Sequence, residues 1–174
     1  MKLEVRSGTG LASPSPGKLA GYAAVFDSPA DLGPFVEVVR SGAFTRSLRQ
    51  PGAIMALFDH EHRAVLGRVS AGTLRLQEDQ RGLAFELDLP DTSVGRDLAV
   101  LVQRGDVAGC SFGFVVPEGG DAWDTRGKLT RELRDISLHE ITVTPTPAYA
   151  DTSVAMRSHQ VDALTTHRLW FSTL

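Results

Sequence analysis

The sequence predicts a β-rich α+β fold, and three observations carry that prediction. Apolar residues recur in short alternating or continuous runs punctuated by glycine, two segments have helical spacing, and no internal repeat is present. With 174 residues and 42% hydrophobic content the chain is long enough for one well-buried core and short for two, so a single domain is expected.

The first predicted strand covers residues 18–26, behind a Ser-, Pro- and Gly-rich segment (7–17) that reads as flexible. A loop with Pro29, Gly33 and Pro34 follows. Phe44 and Leu48, four apart behind a possible Ser41 cap, then predict a short helix over 41–48. The continuous apolar run 54–58 reads as a strand covered on both faces, and it delivers the chain into Asp59-His60-Glu61-His62. Leu74 and Leu76, a turn over 78–82, and the alternation of Leu83, Phe85, Leu87 and Leu89 predict a hairpin.

Over 92–104, Val94, Leu98, Leu101 and Val102 mark one helical face, with Asp91 or Thr92 as cap and Gly105 as stop. A strand over 107–116 should follow, with Cys110, Phe112 and Phe114 on one face and Ser111 and Gly113 on the other. Residues 117–128 form a Gly- and Asp-rich excursion. The segment 129–143 returns as one long strand, closed by Pro145 and Pro147.

Charge and cysteine usage exclude several classes. Eighteen basic against 21 acidic side chains give a formal charge of −3 with no block of like sign, which argues against electrostatic nucleic-acid binding. Cys110 is the single cysteine, so no internal disulfide forms and the cytosol suits the fold. The start Met1-Lys2-Leu3-Glu4-Val5-Arg6 lacks an apolar core of signal-peptide length, and no apolar run reaches membrane-spanning length. A soluble intracellular protein without cofactor is expected.

Chemistry concentrates in three places. Gly109-Cys110-Ser111-Phe112-Gly113-Phe114 sets a small nucleophilic side chain among glycines, His60 and His62 lie upstream, and Glu140 lies downstream in Leu138-His139-Glu140-Ile141. Together they could supply nucleophile, base and orienting acid. Cys110 is the better intrinsic nucleophile, but its strand phase sends it into the core with the phenylalanines. His60 and His62, two apart, would share a strand face and could bind zinc or manganese with a neighbouring carboxylate, although no third histidine matches. Glu140 occupies a phase that Ile136 and Leu138 mark as apolar. It is either an inward carboxylate in need of a partner or an exposed residue at a bulge where Ile141 and Val143 switch the phase.

Read in order, these segments resemble the HK97-type prohead (capsid maturation) serine protease family of tailed bacteriophages, which includes gene transfer agent enzymes. The resemblance is carried by Gly21-Tyr22-Ala23-Ala24-Val25-Phe26, Gly42-Ala43-Phe44, Leu57-Phe58-Asp59-His60, Leu66-Gly67-Arg68-Val69, Gly82-Leu83, the Ser111 segment, and residues 138–144 running into Pro147-Ala148-Tyr149. It implies a serine endopeptidase that cleaves the scaffolding region of the major capsid protein and then itself, inside the prohead in the bacterial host cytoplasm. It also implies a herpesvirus-assembly-protease-like β-barrel with surrounding helices, and a homodimer by the same analogy.

Residue by residue, Ser111 resembles the nucleophile, His60 the general base and Glu140 the third member. The herpesvirus relatives use a second histidine in that last role, which keeps His62 and His139 as alternatives. The domain would occupy 1–156. Residues 157–174, where Val161, Leu164, Arg168 and Leu169 could form a short helix, would be a tail that is flexible or removed by self-cleavage. The oxyanion would be met by backbone N–H groups near Gly113 or by Arg68, each such donor being worth about 2.7–4 kcal/mol. Two other readings remain open: a non-catalytic capsid or scaffold component of the same fold, and a metal-dependent hydrolase built on His60 and His62.

Overall fold

The computed structural model describes residues 4–8 and 17–147. Its elements run β1 (Glu4–Gly8), β2 (Lys18–Val25), β3 (Pro29–Asp31), β4 (Val36–Val39), α1 (Thr45–Arg49), β5 (Met55–Phe58) and β6 (Glu61–Arg68). A 3-10 turn (Val69–Ala71) precedes β7 (Leu74–Glu78), β8 (Gly82–Asp88), α2 (Ser93–Arg104), β9 (Gly109–Val115), β10 (Asp121–Asp124), β11 (Thr130–Leu133) and β12 (Ser137–Thr144).

The β-rich class is as expected, but the barrel implied by the resemblance is not closed among the described residues. The strands form three open sheets, in the orders β1-β9-β12-β5-β6, β10-β11-β4-β3 and β2-β8-β7. Their inner faces meet in one continuous core, where β9 contributes Cys110, Phe112 and Phe114, β12 contributes Ile141 and Val143, β8 contributes Leu83, Phe85 and Leu87, and α2 contributes Leu98 and Val102. Phe44 meets Phe112 edge-on at 5.5 Å, and Phe112 stacks on Phe114 at 5.2 Å.

Locally encoded elements match the sequence reading. The Thr92 hydroxyl accepts the Gly95 N–H at the start of α2, and Gly105 ends the helix in the left-handed conformation. The hairpin of β7 and β8 pairs Leu74 with Leu87 and Leu76 with Phe85.

Elsewhere distant partners override local pattern. The helix over 41–48 contracts to α1, and Ser41 does not cap it. Instead Glu78 of β7 accepts the Phe44 N–H at 2.9 Å and the Thr45 hydroxyl at 2.6 Å, doing across space what a capping-box glutamate does within a helix. The excursion over 117–128 contains strand β10, and the segment after His60 is strand β6. Ser7 and Gly8, in the segment read as flexible, belong to β1, which pairs antiparallel with β9. The boundary at 156, the tail and its short helix lie outside the described residues.

The long strand over 129–143 is broken in two. Between β11 and β12 the Arg134 and Asp135 N–H groups both donate to the Gly120 carbonyl at 2.8 and 2.9 Å, and the Ile136 N–H donates to Ala43. The Ser47 hydroxyl donates to the Ile136 carbonyl at 2.7 Å and accepts the Leu138 N–H at 2.9 Å. The N–H groups of Arg134, Asp135, Ile136 and Leu138 thus find acceptors outside a ladder, which lets the chain leave one sheet and enter another. Gly120 must be glycine here, because a Cβ would lie 2.3 Å from the Asp135 carbonyl oxygen.

Replacing Thr92 with alanine removes the cap of the longest described helix. We expect Thr92→Ala to lose about 1 kcal/mol of unfolding free energy in urea titrations and Thr92→Gly only a few tenths.

Candidate active site

The five-stranded sheet has two chemically distinct faces. In β9 the alternation of side chains sends Cys110, Phe112 and Phe114 into the core and Ser111 and Gly113 to the opposite face. Strand β12 lies antiparallel beside it, with Thr142 opposite Ser111 and Glu140 opposite Gly113. Residues in direct register share a face, so Ser111, Thr142 and Glu140 stand together. Strand β5 continues the rows, pairing Met55 with Glu140 and Leu57 with Thr142.

Glu140 reaches this face through a β-bulge. The register shifts between Leu138 and Glu140, so Leu138 opposes Phe114 on the core side while Glu140, two residues later, opposes Gly113 on the other. The extra residue is His139, which is exposed. Both sequence readings of Glu140 therefore contained part of the answer: the phase switches at a bulge, and the carboxylate is nevertheless buried at 2% exposure. Its stem lies over Gly113, where a Cβ would sit 2.7 Å from Glu140 Cγ. Glycine at 113 makes the room that the carboxylate occupies.

The residue that covers Glu140 is His60. Beyond Phe58 the chain turns through Asp59 and His60, whose φ values of 50° and 60° are left-handed and unusual outside glycine. This turn brings His60 Nδ1 to 2.7 Å from Glu140 Oε1. The Asp59 N–H donates to the Val143 carbonyl and the His60 N–H to Thr142 Oγ1, both at 2.9 Å. Thr144 Oγ1 donates to Asp59 Oδ1 at 2.8 Å.

The other predicted candidates are placed differently. His60 lies in the turn, so it does not share a strand face with His62, which is exposed on β6. Among the described residues no group of three or more His, Cys, Asp or Glu is arranged to hold a metal ion. Cys110 is 1% exposed in the core, and burial pushes its thiol from an ordinary value of 9.0 to about 12. Arg68 pairs with Met55 in register and therefore shares the Glu140 face, its Nη2 lying 3.0 Å from Met55 Sδ. Thr142 and Thr144 were not singled out from sequence. Their signal was the alternation Glu140, Thr142, Thr144 against Ile141 and Val143, a polar face written in period two.

Ser111 and the buried Glu140 thus share one sheet face, and His60 reaches the carboxylate from the turn beside it. The family model described as caudovirus prohead serine protease matches residues 2–167. The chain belongs to this family. The prohead protease of Enterobacteria phage HK97 is 30% identical over 156 residues, which cover 87% of this chain and 64% of that protein. The chain thus spans a little under two thirds of that relative's length. Among solved structures, the bacteriophage T4 capsid assembly protease gp21 superposes with a TM-score of 0.57 at 7% identity, over 82% of this chain and 97% of that one. That likeness establishes a shared fold. The prohead protease family and the three-sheet architecture are therefore consistent with each other.

The Cys110 thiol provides a check on the two-faced sheet. We expect no reaction with a thiol reagent until the protein unfolds. Below about pH 9 the thiol is protonated in both states; above it the unfolded chain ionises while the folded one keeps its proton, so stability should fall as pH rises from 9.0 to about 12. Urea midpoints measured across that window test the sign.

Proposed function

We propose that this chain is a serine endopeptidase in which Ser111 is the nucleophile, His60 the general base and Glu140 the group that orients the base. The observation that carries the reading is the 2.7 Å contact between His60 Nδ1 and a carboxylate buried on the same sheet face as Ser111. A hydrogen bond to Glu140 requires the proton on Nδ1, which leaves the Nε2 lone pair available to take the Ser111 hydroxyl proton. Oγ then bonds to the scissile carbonyl carbon, the imidazolium is stabilised by Glu140, and the proton passes to the departing amine. Water reverses the sequence to release the acyl group.

The substrate in this reading is the scaffolding region of the major capsid protein, followed by the protease itself. It would act as a homodimer inside the prohead, in the host cytoplasm. Support comes from membership of the prohead serine protease family and from the 30% identity to the HK97 prohead protease. Among the described residues no helix is long and apolar enough to cross a membrane.

Co-expression of the chain with its matching capsid protein, followed by intact mass over time, tests the proposal. Truncation of both polypeptides should vanish in Ser111→Ala and in His60→Ala. Persistence in Ser111→Ala removes the serine from the mechanism, and absence of any cleavage by the wild type favours a non-catalytic scaffold component. Glu140→Gln should slow cleavage on the order of 10³–10⁴-fold, because an amide permits the wrong imidazole tautomer. Gly113→Ala should slow it as well, by pushing Glu140 from under His60, with the fold kept as judged by circular dichroism.

A further inference from the structure

The conformation of His60 is imposed on it. Asp59 and His60 both adopt left-handed backbone conformations, which persist outside glycine only where the surroundings over-determine them. Here one strand supplies the determination. Val143 accepts the Asp59 N–H, Thr144 donates to the Asp59 carboxylate, and Thr142 accepts the His60 N–H. Thr142 is fully buried, and its hydroxyl is used twice, since it also donates to the Leu57 carbonyl at 3.1 Å. With its proton committed to Leu57, its lone pair is directed at His60. The same residue stands directly opposite Ser111 in the β9–β12 ladder.

We propose that Thr142 is a positioning residue for the proteolytic reaction, its hydroxyl holding the His60 backbone in the left-handed turn that lays the imidazole on Glu140. The inference rests on the reading of His60 as general base. Thr142 links the last residues of β5, the backbone of the base and the strand that bears the carboxylate, all through one oxygen. Without that oxygen the His60 N–H has no acceptor in the turn, and the backbone relaxes towards right-handed or extended values. The ring then leaves Glu140. A threonine that merely satisfied two buried backbone groups would lower stability when lost, without altering the chemistry of the folded protein.

The test uses the full chain and a fluorophosphonate, whose phosphorus accepts Ser111 Oγ and expels fluoride while the serine proton passes to the base. Thr142→Val keeps the shape and removes the hydroxyl; Thr142→Ser keeps the hydroxyl. In Thr142→Val the saturating labelling rate should fall on the order of tenfold to a hundredfold, with the half-saturating probe concentration unchanged. The far-downfield proton resonance of His60 Nδ1–H, assigned by its loss in His60→Ala, should disappear in the valine variant and remain in the serine variant.

A folded Thr142→Val with wild-type rate and resonance overturns the proposal, as does a serine variant that loses as much as the valine one. If the valine variant does not fold, the serine variant decides: retained rate and resonance support positioning by the hydroxyl, and their loss overturns it. His60→Ala separates this inference from the reading beneath it. Undiminished labelling there removes His60 as base, whereas an inert His60→Ala beside an unaffected Thr142→Val removes the positioning role alone.

Discussion

A carboxylate at 2% exposure cannot be left without a partner, and much of this molecule's local architecture answers to that requirement at Glu140. The partner is His60, and it cannot come from β12 itself, since side chains two apart on that face are the threonines Thr142 and Thr144. It comes from the end of β5, which runs parallel to β12 and so delivers its C-terminal turn alongside the same strand. Gly113 leaves the hollow in which the carboxylate lies, and the bulge at His139 lets β12 keep Leu138 in the core while presenting Glu140 to the other side. Each of these would be a defect by itself: a missing side chain, an irregular ladder, a strained turn. Together they hold one ion-pairing group in a fixed place.

What the sequence made legible was what neighbouring residues decide. Helix α2 carries its own cap and stop in Thr92 and Gly105, and the β7–β8 hairpin and the two faces of β9 follow from strict alternation. What it concealed was decided from afar. The cap of α1 comes from Glu78, 34 positions away, so nothing near Ser41 could announce it. The run over 129–143 looks continuous because it holds no glycine or proline to punctuate it. It breaks because Gly120, Ala43 and Ser47 offer its backbone other partners at the corner. The β-barrel came from resemblance and not from pattern, and among the described residues the strands form three open sheets.

The site was legible in an uneven way. Strand phase placed Ser111 and Cys110 on their correct faces. The alternatives for Glu140, buried or at a bulge, stayed open because a one-residue phase switch is invisible unless the partner strand is known. The pairing of His60 with Glu140 rather than with His62 or His139 followed from family resemblance, since a left-handed turn at Asp59-His60 has no glycine to signal it. The threonines were passed over because a period-two polar face reads equally well as a solvent-exposed one.

The contacts that define the site are among the most remote in sequence. The His60–Glu140 hydrogen bond spans 80 positions, the Thr142–His60 bond 82, and the Thr144–Asp59 and Thr142–Leu57 bonds 85 each. Contacts of such high contact order carry a loop-closure cost and form only as the intervening chain condenses. A growing polypeptide that has completed β9 already holds its serine and its imidazole, but β12, with the carboxylate and both threonines, is still to come. Under the proposed mechanism competence is therefore coupled to the finished fold, and a nascent or partly unfolded copy has the serine and the imidazole without the means to align them.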